Sequence, residues 1–213
     1  DGTETVTKDI SVTVTNVNDI APEFTSDATF SAAENQTAIG TVTATDAEGD
    51  VVSFTVSGTE LAISSAGVLT FVSAPDYETK TTYTATVTAS DGVNTKTQDI
   101  TVNVTNVNDN SPSFTSSATF TAPENQTAIG TVTATDADGD DVTFTVSGTE
   151  LAITSAGVLT FASAPDYEIK TSYTATVTAS DGVNSTTQDI TINVTNVNDV
   201  APEFTSEATF SAA

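Results

Sequence analysis

The sequence contains no cysteine, histidine, tryptophan, methionine or arginine, and lysine, with four copies, is its only basic residue. Without cysteine there can be no disulfide framework and no thiolate chemistry. Without histidine the chain lacks the commonest general base and the usual ligand of zinc and copper. The metal ligands that remain are oxygen atoms, which suit hard cations such as calcium.

Positive charge is also scarce, because 29 acidic residues stand against the four lysines and give a formal net charge of -25. A nucleic-acid partner requires a basic surface, so nucleic-acid binding is excluded. No apolar run approaches the roughly 20 residues that cross a bilayer, and we expect no membrane insertion in this segment. Hydrophobic residues make up 37% of the chain, which is enough for a packed core.

The chain consists of internal sequence repeats. The segment VTNVND ends at Asp19, Asp109 and Asp199, at intervals of 90 residues. A fixed period of this kind dictates the architecture, since each unit folds in the same way. The sequence therefore predicts two complete repeats, 20–109 and 110–199, between the end of a preceding repeat at 1–19 and the start of a following one at 200–213.

Each repeat is predicted to be β throughout. In TYTATVTAS and QDITVNVT, apolar residues alternate with threonine or asparagine, which is the period of a half-buried strand. Turn residues separate seven predicted strands, near 27–32, 38–46, 51–57, 60–63, 68–72, 82–90 and 97–105. This pattern predicts an all-β chain of seven-stranded, Ig-like Greek-key β-sandwiches joined end to end. The predicted core of the first repeat is Phe30, Ile39, Val42, Phe54, Val56, Leu61, Ile63, Leu69, Phe71, Tyr83, Val87, Ile100 and Val102.

The acidic residues are not scattered over the outward strand faces, which are mostly threonine. They gather in turns and at the ends of repeats, at Glu34, Asp46, Glu48, Asp50, Asp76, Glu78, Asp91 and Asp109. Clustered carboxylates repel one another unless a cation lies among them. The placement therefore favours cation binding over a general role in solubility.

Five short motifs carry a family resemblance. They lie, in order, at 33–35 (AEN), 45–50 (TDAEGD), 74–78 (APDYE), 89–92 (ASDG) and 106–110 (NVNDN). Together they resemble the motif set of cadherin repeats, and the resemblance covers both complete repeats. The short period and the threonine-rich, cysteine-free composition resemble the cadherin-like repeats of giant bacterial surface proteins. The resemblance implies an extracellular or cell-surface location and a role in adhesion.

The resemblance also implies that Ca²⁺ is bound where successive repeats meet, by both repeats and by the linker, residues 106–110. For the complete middle junction the implied ligands are Glu34, Asp76, Glu78, Asn106, Val107 through its carbonyl, Asn108, Asp109, Asn110, Asp136, Asp138 and Asp181. The incomplete end junctions would use Asn16, Asn18, Asp19, Asp46, Glu48, Asp91, Glu124, Asp166, Glu168, Asn196, Asn198 and Asp199. The chain departs from the family pattern at Asn106, where the family usually has aspartate.

Three functions are compatible with these residues. The leading hypothesis is a spacer that calcium stiffens within a large surface protein, with calcium ions and neighbouring repeats of the same chain as its partners. The alternatives are repeats that adhere directly, to copies of themselves or to surface glycans, and repeats that polymerise into an extracellular filament. A glycosidase-like use of Asp76 and Glu78 is disfavoured, because the chain has no tryptophan for a sugar cleft and repeats the same pair at Asp166 and Glu168. We expect no enzymatic activity.

Overall fold

The computed structural model describes residues 2–205. The chain divides into two compact units, Asp1–Val107 and Asn108–Ala213. Their described residues form β-strands and turns and contain no helix. The fold class predicted from the alternating pattern is therefore confirmed, whereas the repeat boundaries at 20–109 and 110–199 stay a prediction.

The first unit contains nine strand segments within the described residues. In chain order they are β1 (Glu23–Phe24), β2 (Thr29–Ala33), β3 (Ala38–Thr41), β4 (Ala44–Thr45), β5 (Ser53–Val56), β6 (Leu61–Ile63), β7 (Val68–Phe71), β8 (Thr82–Ser90) and β9 (Thr95–Thr105).

The second unit repeats this order at the same positions in its sequence. Its strands are β10 (Ser113–Phe114), β11 (Thr119–Pro123), β12 (Ala128–Thr131), β13 (Ala134–Thr135), β14 (Thr143–Val146), β15 (Leu151–Ile153), β16 (Val158–Phe161), β17 (Ser172–Ser180) and β18 (Ser185–Thr195).

In each unit a four-stranded and a three-stranded sheet enclose one core. The first unit orders its strands β2-β9-β8-β5 and β3-β7-β6, and β1 pairs separately with β4. Strands β2 and β9 are parallel, whereas the other pairs in these sheets are antiparallel. The second unit has the same topology, with β11-β18-β17-β14 and β12-β16-β15.

The alternating residues of the long strands build the core, as predicted. In β8 and β9, Val87, Ile100 and Val102 are fully buried, while the threonines between them face outward. Every predicted core residue belongs to the buried cluster or packs against it. The structure adds Ala32, Ala89 and Val104 to the buried set.

The predicted strand at 38–46 is divided in the structure. β3 pairs with β7 through a register shift near Gly40, and β4 then pairs with β1, with Glu23 opposite Thr45. Between them, the Val42 N–H donates to the Gly67 carbonyl at 2.8 Å. The chain thus leaves one sheet and joins a second pairing, which local alternation does not reveal.

Residues 2–19 contain no strand, although 8–15 match residues 98–105 of β9. Ile10, Val12 and Val14 are 83%, 82% and 89% exposed, while their counterparts in β9 are buried. In the complete unit β9 lies between β2 and β8. Among the described residues, no strand pairs with 8–15 in this way. At the other end, the predicted start of a following repeat falls partly at 206–213, outside the described residues.

Candidate functional site

The turn after β13 collects three carboxylates of the second unit. Asp136, Asp138 and Asp140 each place an oxygen within 4.8 Å of the others. The Asp138 N–H donates to Asp136 Oδ1 at 3.0 Å, which closes the turn. Asp136 Oδ2 is buried and has no hydrogen-bond partner. A buried carboxylate oxygen of this kind is costly unless a hydrogen-bond donor or a cation satisfies it.

Asp138 also binds the polypeptide at the start of the same unit. Its Oδ2 accepts hydrogen bonds from the N–H groups of Asp109 and Asn110, at 3.1 and 2.8 Å. The Asn110 side-chain amide donates to Asp138 Oδ1 at 3.0 Å and to Asp109 Oδ1 at 2.9 Å. Asp109, Asn110 and Asp138, three of the predicted ligands, therefore lie together.

Asp181 heads the turn between β17 and β18. Its Oδ1 accepts from the N–H groups of Val183 and Asn184 at 2.7 and 2.6 Å. Burial by itself raises the pKa of Asp181, but these two N–H groups and the side-chain amides of Asn108 and Asn184 outweigh it, so the pKa lies below its ordinary value. Asp181 Oδ2 is buried without a hydrogen-bond partner. The two main-chain N–H groups therefore favour the charged form of Asp181.

Asn184 contacts two of the predicted ligands and was not itself predicted from the sequence. Its Nδ2 donates to Asn108 Oδ1 at 2.8 Å and to the Asn110 carbonyl at 3.2 Å. Asn94 does the same in the first unit, where its Nδ2 donates to Asn18 Oδ1 at 2.8 Å. The signal that points to both is the recurrence of DGVN at 91–94 and 181–184.

The first unit builds the corresponding group with a longer acid. Glu48 Oε2 accepts from the N–H groups of Asp19 and Ile20 at 2.9 and 3.0 Å. Asp46, Glu48 and Asp50 bring oxygens within 4.8 Å of one another, and Asp46 Oδ2 is buried without a partner. The predicted residues Asn18, Asp19, Asp46 and Glu48 therefore form one group. Hydrogen bonds also hold the pKa of Asp91 below its ordinary value against the opposing effect of burial, with the N–H groups of Val93 and Asn94 contributing most.

Glu34 begins a second group in the first unit. It is only 3% exposed, and its two oxygens accept from the N–H groups of Tyr77 and Val107 at 2.7 and 2.8 Å. Glu78 places an oxygen within 4.8 Å of a Glu34 oxygen. Asp76 caps the following turn, because its Oδ1 accepts from the Thr79 N–H at 3.1 Å. Asn106 directly follows β9 and precedes Val107.

The second unit has the equivalent group around Glu124. Glu124 is 3% exposed and accepts from the N–H groups of Tyr167 and Val197, both at 2.7 Å. Asp166 and Glu168 bring oxygens within 4.8 Å of it. Asn196 Nδ2 donates to Glu168 at 2.9 Å, and Asp199 accepts from the Asn125 amide at 2.6 Å. Asn16 and Asn198, the remaining predicted residues, are exposed.

The oxygen atoms gathered in each unit suit a hard cation as ligands. Each group consists of carboxylate, amide and carbonyl oxygens, and the chain has no histidine or cysteine to recruit a softer metal. Three carboxylate oxygens, on Asp46, Asp136 and Asp181, are buried without a donor. Oxygen ligands with unused lone pairs and a net negative charge are the chemistry that calcium selects.

Comparison with known proteins identifies relatives of this chain. It is 31% identical over 220 residues to cadherin EGF LAG seven-pass G-type receptor 1 of Mus musculus, and 31% identical over 228 residues to protocadherin Fat 4 of Homo sapiens. The matches cover 92% and 93% of this chain but only 7% and 5% of those proteins. No family model matches the sequence.

The fold has solved counterparts as well. The structure of mouse cadherin-23 EC22-24 superposes with a TM-score of 0.72, at 24% identity, over 88% of this chain and 71% of that one. None of the described residues forms an apolar helix of membrane-spanning length. The similarity in sequence and the shared all-β fold show that this chain belongs to the cadherin family, as a tandem of extracellular cadherin-like adhesion repeats.

Proposed function

We propose that this chain binds Ca²⁺ where its two repeats meet, and that the bound ions stiffen it as a spacer in a larger surface protein. The proposed ligands are those of the middle junction: Glu34, Asp76, Glu78, Asn106, the Val107 carbonyl, Asn108, Asp109, Asn110, Asp136, Asp138 and Asp181. The residues of the end groups would bind calcium when a further complete repeat adjoins them.

The observation that carries the proposal is the pair of buried, unsatisfied oxygens on Asp136 and Asp181 in the second unit. A buried carboxylate oxygen that accepts no hydrogen bond favours a nearby cation. Both residues belong to motifs that resemble the calcium-binding motifs of cadherin repeats. The unsatisfied Oδ2 atoms therefore support calcium independently of the motif match.

The ligand count suits more than one ion. Seven of the proposed ligands carry a carboxylate, and Ca²⁺ takes about 6–8 oxygen ligands. Main-chain and amide oxygens from 106–110 complete the donor set. When bound, the cation supplies positive charge that offsets the repulsion among these carboxylates. Asn106, in place of the usual aspartate, removes one charge and lowers the expected affinity.

Stiffening follows from where the proposed ligands lie along the chain. The division between units falls at the Val107–Asn108 peptide. Val107 donates to Glu34 of the first unit, and Asn108 accepts from Asn184 of the second. An ion that takes ligands from both units would restrict the backbone dihedral angles on either side of this peptide. The near identity of the repeats suits a spacer, whose length matters more than the surface of any one repeat.

Unfolding with and without calcium tests the proposal. A ligand that binds only the folded state raises the apparent stability, by about 2.7 kcal/mol at a hundredfold excess over Kd. We expect calcium to raise Tm relative to chelator. The double variant Asp136→Asn/Asp181→Asn should lose most of this rise, and Asp189→Asn, which removes an exposed carboxylate on β18, should keep it.

Small-angle scattering and sedimentation separate the spacer from its alternatives. The spacer hypothesis predicts a monomer whose distribution of maximum dimension widens in chelator. A Tm that does not respond to calcium would contradict calcium binding itself. Calcium-dependent self-association in sedimentation would instead favour repeats that adhere to copies of themselves or form filaments, and binding on a glycan array would favour surface polysaccharide.

A further inference from the structure

One asparagine in each unit binds the polypeptide that enters that unit. Asn184 Nδ2 donates to Asn108 Oδ1 at 2.8 Å and to the Asn110 carbonyl at 3.2 Å, while its own N–H donates to Asp181 Oδ1 at 2.6 Å. Asn94 makes the matching contacts with Asn18 and Asp91 in the first unit. A single residue therefore contacts three proposed ligands, Asn108 and Asn110 through its side chain and Asp181 through its main-chain N–H.

We propose that Asn184 is a positioning residue for calcium: it holds Asn108 and Asn110 beside Asp181 without binding the ion. The inference rests on the proposed function, because it assigns a role at the same site. The Asn184 Nδ2 group is a donor and cannot act as a ligand. By donating to oxygens of Asn108 and Asn110, it fixes their direction and leaves each a second lone pair for a cation.

The contact with Asn108 determines how that amide is oriented. An asparagine amide presents an oxygen on one side and two N–H donors on the other. Rotation of the amide by about 180° would therefore place an N–H donor where the ligand oxygen had been. Asn108 directs its Oδ1 to the Asn184 side-chain amide. Without Asn184 Nδ2, the Asn108 amide loses the hydrogen bond that fixes this orientation.

Loss of such a partner weakens metal binding without removing a ligand. Residues that orient metal ligands typically contribute 10–100-fold to affinity when they are substituted. Because Asn108 and Asn110 are two ligands among many, we expect the lower end of this range. Asn184→Ala should therefore lower the calcium affinity of the middle junction by roughly tenfold.

The first unit provides a matched control. Asn94→Ala removes the same bonds from the same turn, but its contacts are to Asn18 and Ile20 and not to ligands of the middle junction. Any general cost of losing the asparagine to the stability of a repeat should therefore be alike in the two variants. Only Asn184→Ala should affect the middle junction.

The experiment is calorimetric titration of the full chain with CaCl₂, together with thermal unfolding in chelator. The middle-junction site is identified as the binding that disappears in Asp136→Asn/Asp181→Asn. The inference is supported if Asn184→Ala weakens this binding about tenfold, Asn94→Ala leaves it unchanged, and the two variants unfold alike in chelator.

Two results would overturn it. If Asn184→Ala binds calcium as tightly as the unsubstituted chain, then Asn184 has only a structural role, whatever its effect on unfolding. An equal loss of affinity in both variants would show that stability of the repeats, and not positioning of ligands, controls binding. Absence of calcium binding in the unsubstituted chain is a separate outcome, and it refutes the proposed function as well.

Discussion

The two units have equivalent cores but differ at the acid that binds the first residues of each unit. In the first unit Glu48 accepts from the N–H groups of Asp19 and Ile20 through one oxygen. In the second, Asp138 accepts from the N–H groups of Asp109 and Asn110 through one oxygen, and its other oxygen accepts from the Asn110 side chain. The side chain of Ile20 has no hydrogen-bond donor.

The difference shows which part of the contact is general. A carboxylate that accepts two successive N–H groups is present in both units, whether its side chain is long or short. The extra bond uses the side-chain amide of Asn110, which Ile20 lacks, and among the described residues it is present in the second unit. The main-chain contact is thus the common element, and the side-chain contact is an addition at the middle junction.

The largest effect we predict tests whether the two units are energetically equivalent. Gly157 has φ +85°, and an added Cβ would lie 2.2 Å from the Val132 carbonyl oxygen. Gly157→Ala should cost about 4 kcal/mol, because backbone strain and overpacking add. Gly67→Ala, with the same geometry at 2.1 Å from the Val42 oxygen, should cost as much. Thermal unfolding in chelator measures both.

Gly148→Ala is the control for this pair. Gly148 has φ +80° but no atom within 4 Å of an added Cβ, so only the backbone cost of about 1 kcal/mol remains. A similar loss in Gly148→Ala and Gly157→Ala would show that the close approach to Val132 is unimportant. Unequal losses in Gly67→Ala and Gly157→Ala would show that the two cores are not equivalent.

An intermediate effect is expected at the buried glutamates. Glu124→Ala leaves the N–H groups of Tyr167 and Val197 without their charged acceptor and should cost about 3 kcal/mol in chelator. Glu34→Ala should cost the same, and should also abolish most calcium-dependent stabilisation. Glu150→Ala removes an exposed acid paired with Lys170 and should cost under about 1 kcal/mol. If Glu124→Ala unfolds like Glu150→Ala, the two main-chain contacts contribute little.

The smallest effect is expected when the differing acid is exchanged. Asp138→Glu should change the free energy of unfolding in chelator by under about 0.5 kcal/mol, because Glu48 makes the same two main-chain bonds in the first unit. The reciprocal change, Glu48→Asp, should be equally mild. Urea unfolding of each variant measures the difference. A loss well above this in Asp138→Glu would make the additional Asn110 side-chain bond the dominant contact.

Much of the fold was predictable from local pattern. Alternation in 82–90 and 97–105 matches β8 and β9 closely, since a strand with one buried face must repeat every two residues. The strand predicted at 38–46 was wrong in its continuity, because the partner changes from β7 to β1 within it. Pairing between distant strands leaves no local signature.

The candidate site was likewise predicted only in part from the sequence. Its acidic residues were predicted from their gathering in turns and from the order of the motifs. The burial of Glu34, the main-chain contacts of Asp138 and the bridging role of Asn184 were not. Asn184 and Asn108 are 76 positions apart, and Glu34 and Val107 are 73 apart. Contacts at such separations depend on how the sheets enclose the core.

By itself, the sequence determined the repeat, the all-β class, the inward face of each long strand and the oxygen-only set of possible metal ligands. These follow from composition and short-range periodicity, which are physical properties of the chain before it folds. Only the tertiary structure decided which carboxylate oxygens lack a hydrogen-bond donor and which amides contact the predicted ligands. The reason is that the burial and the hydrogen bonds of a side chain depend on the residues that surround it in the folded protein, and not on its own residue type.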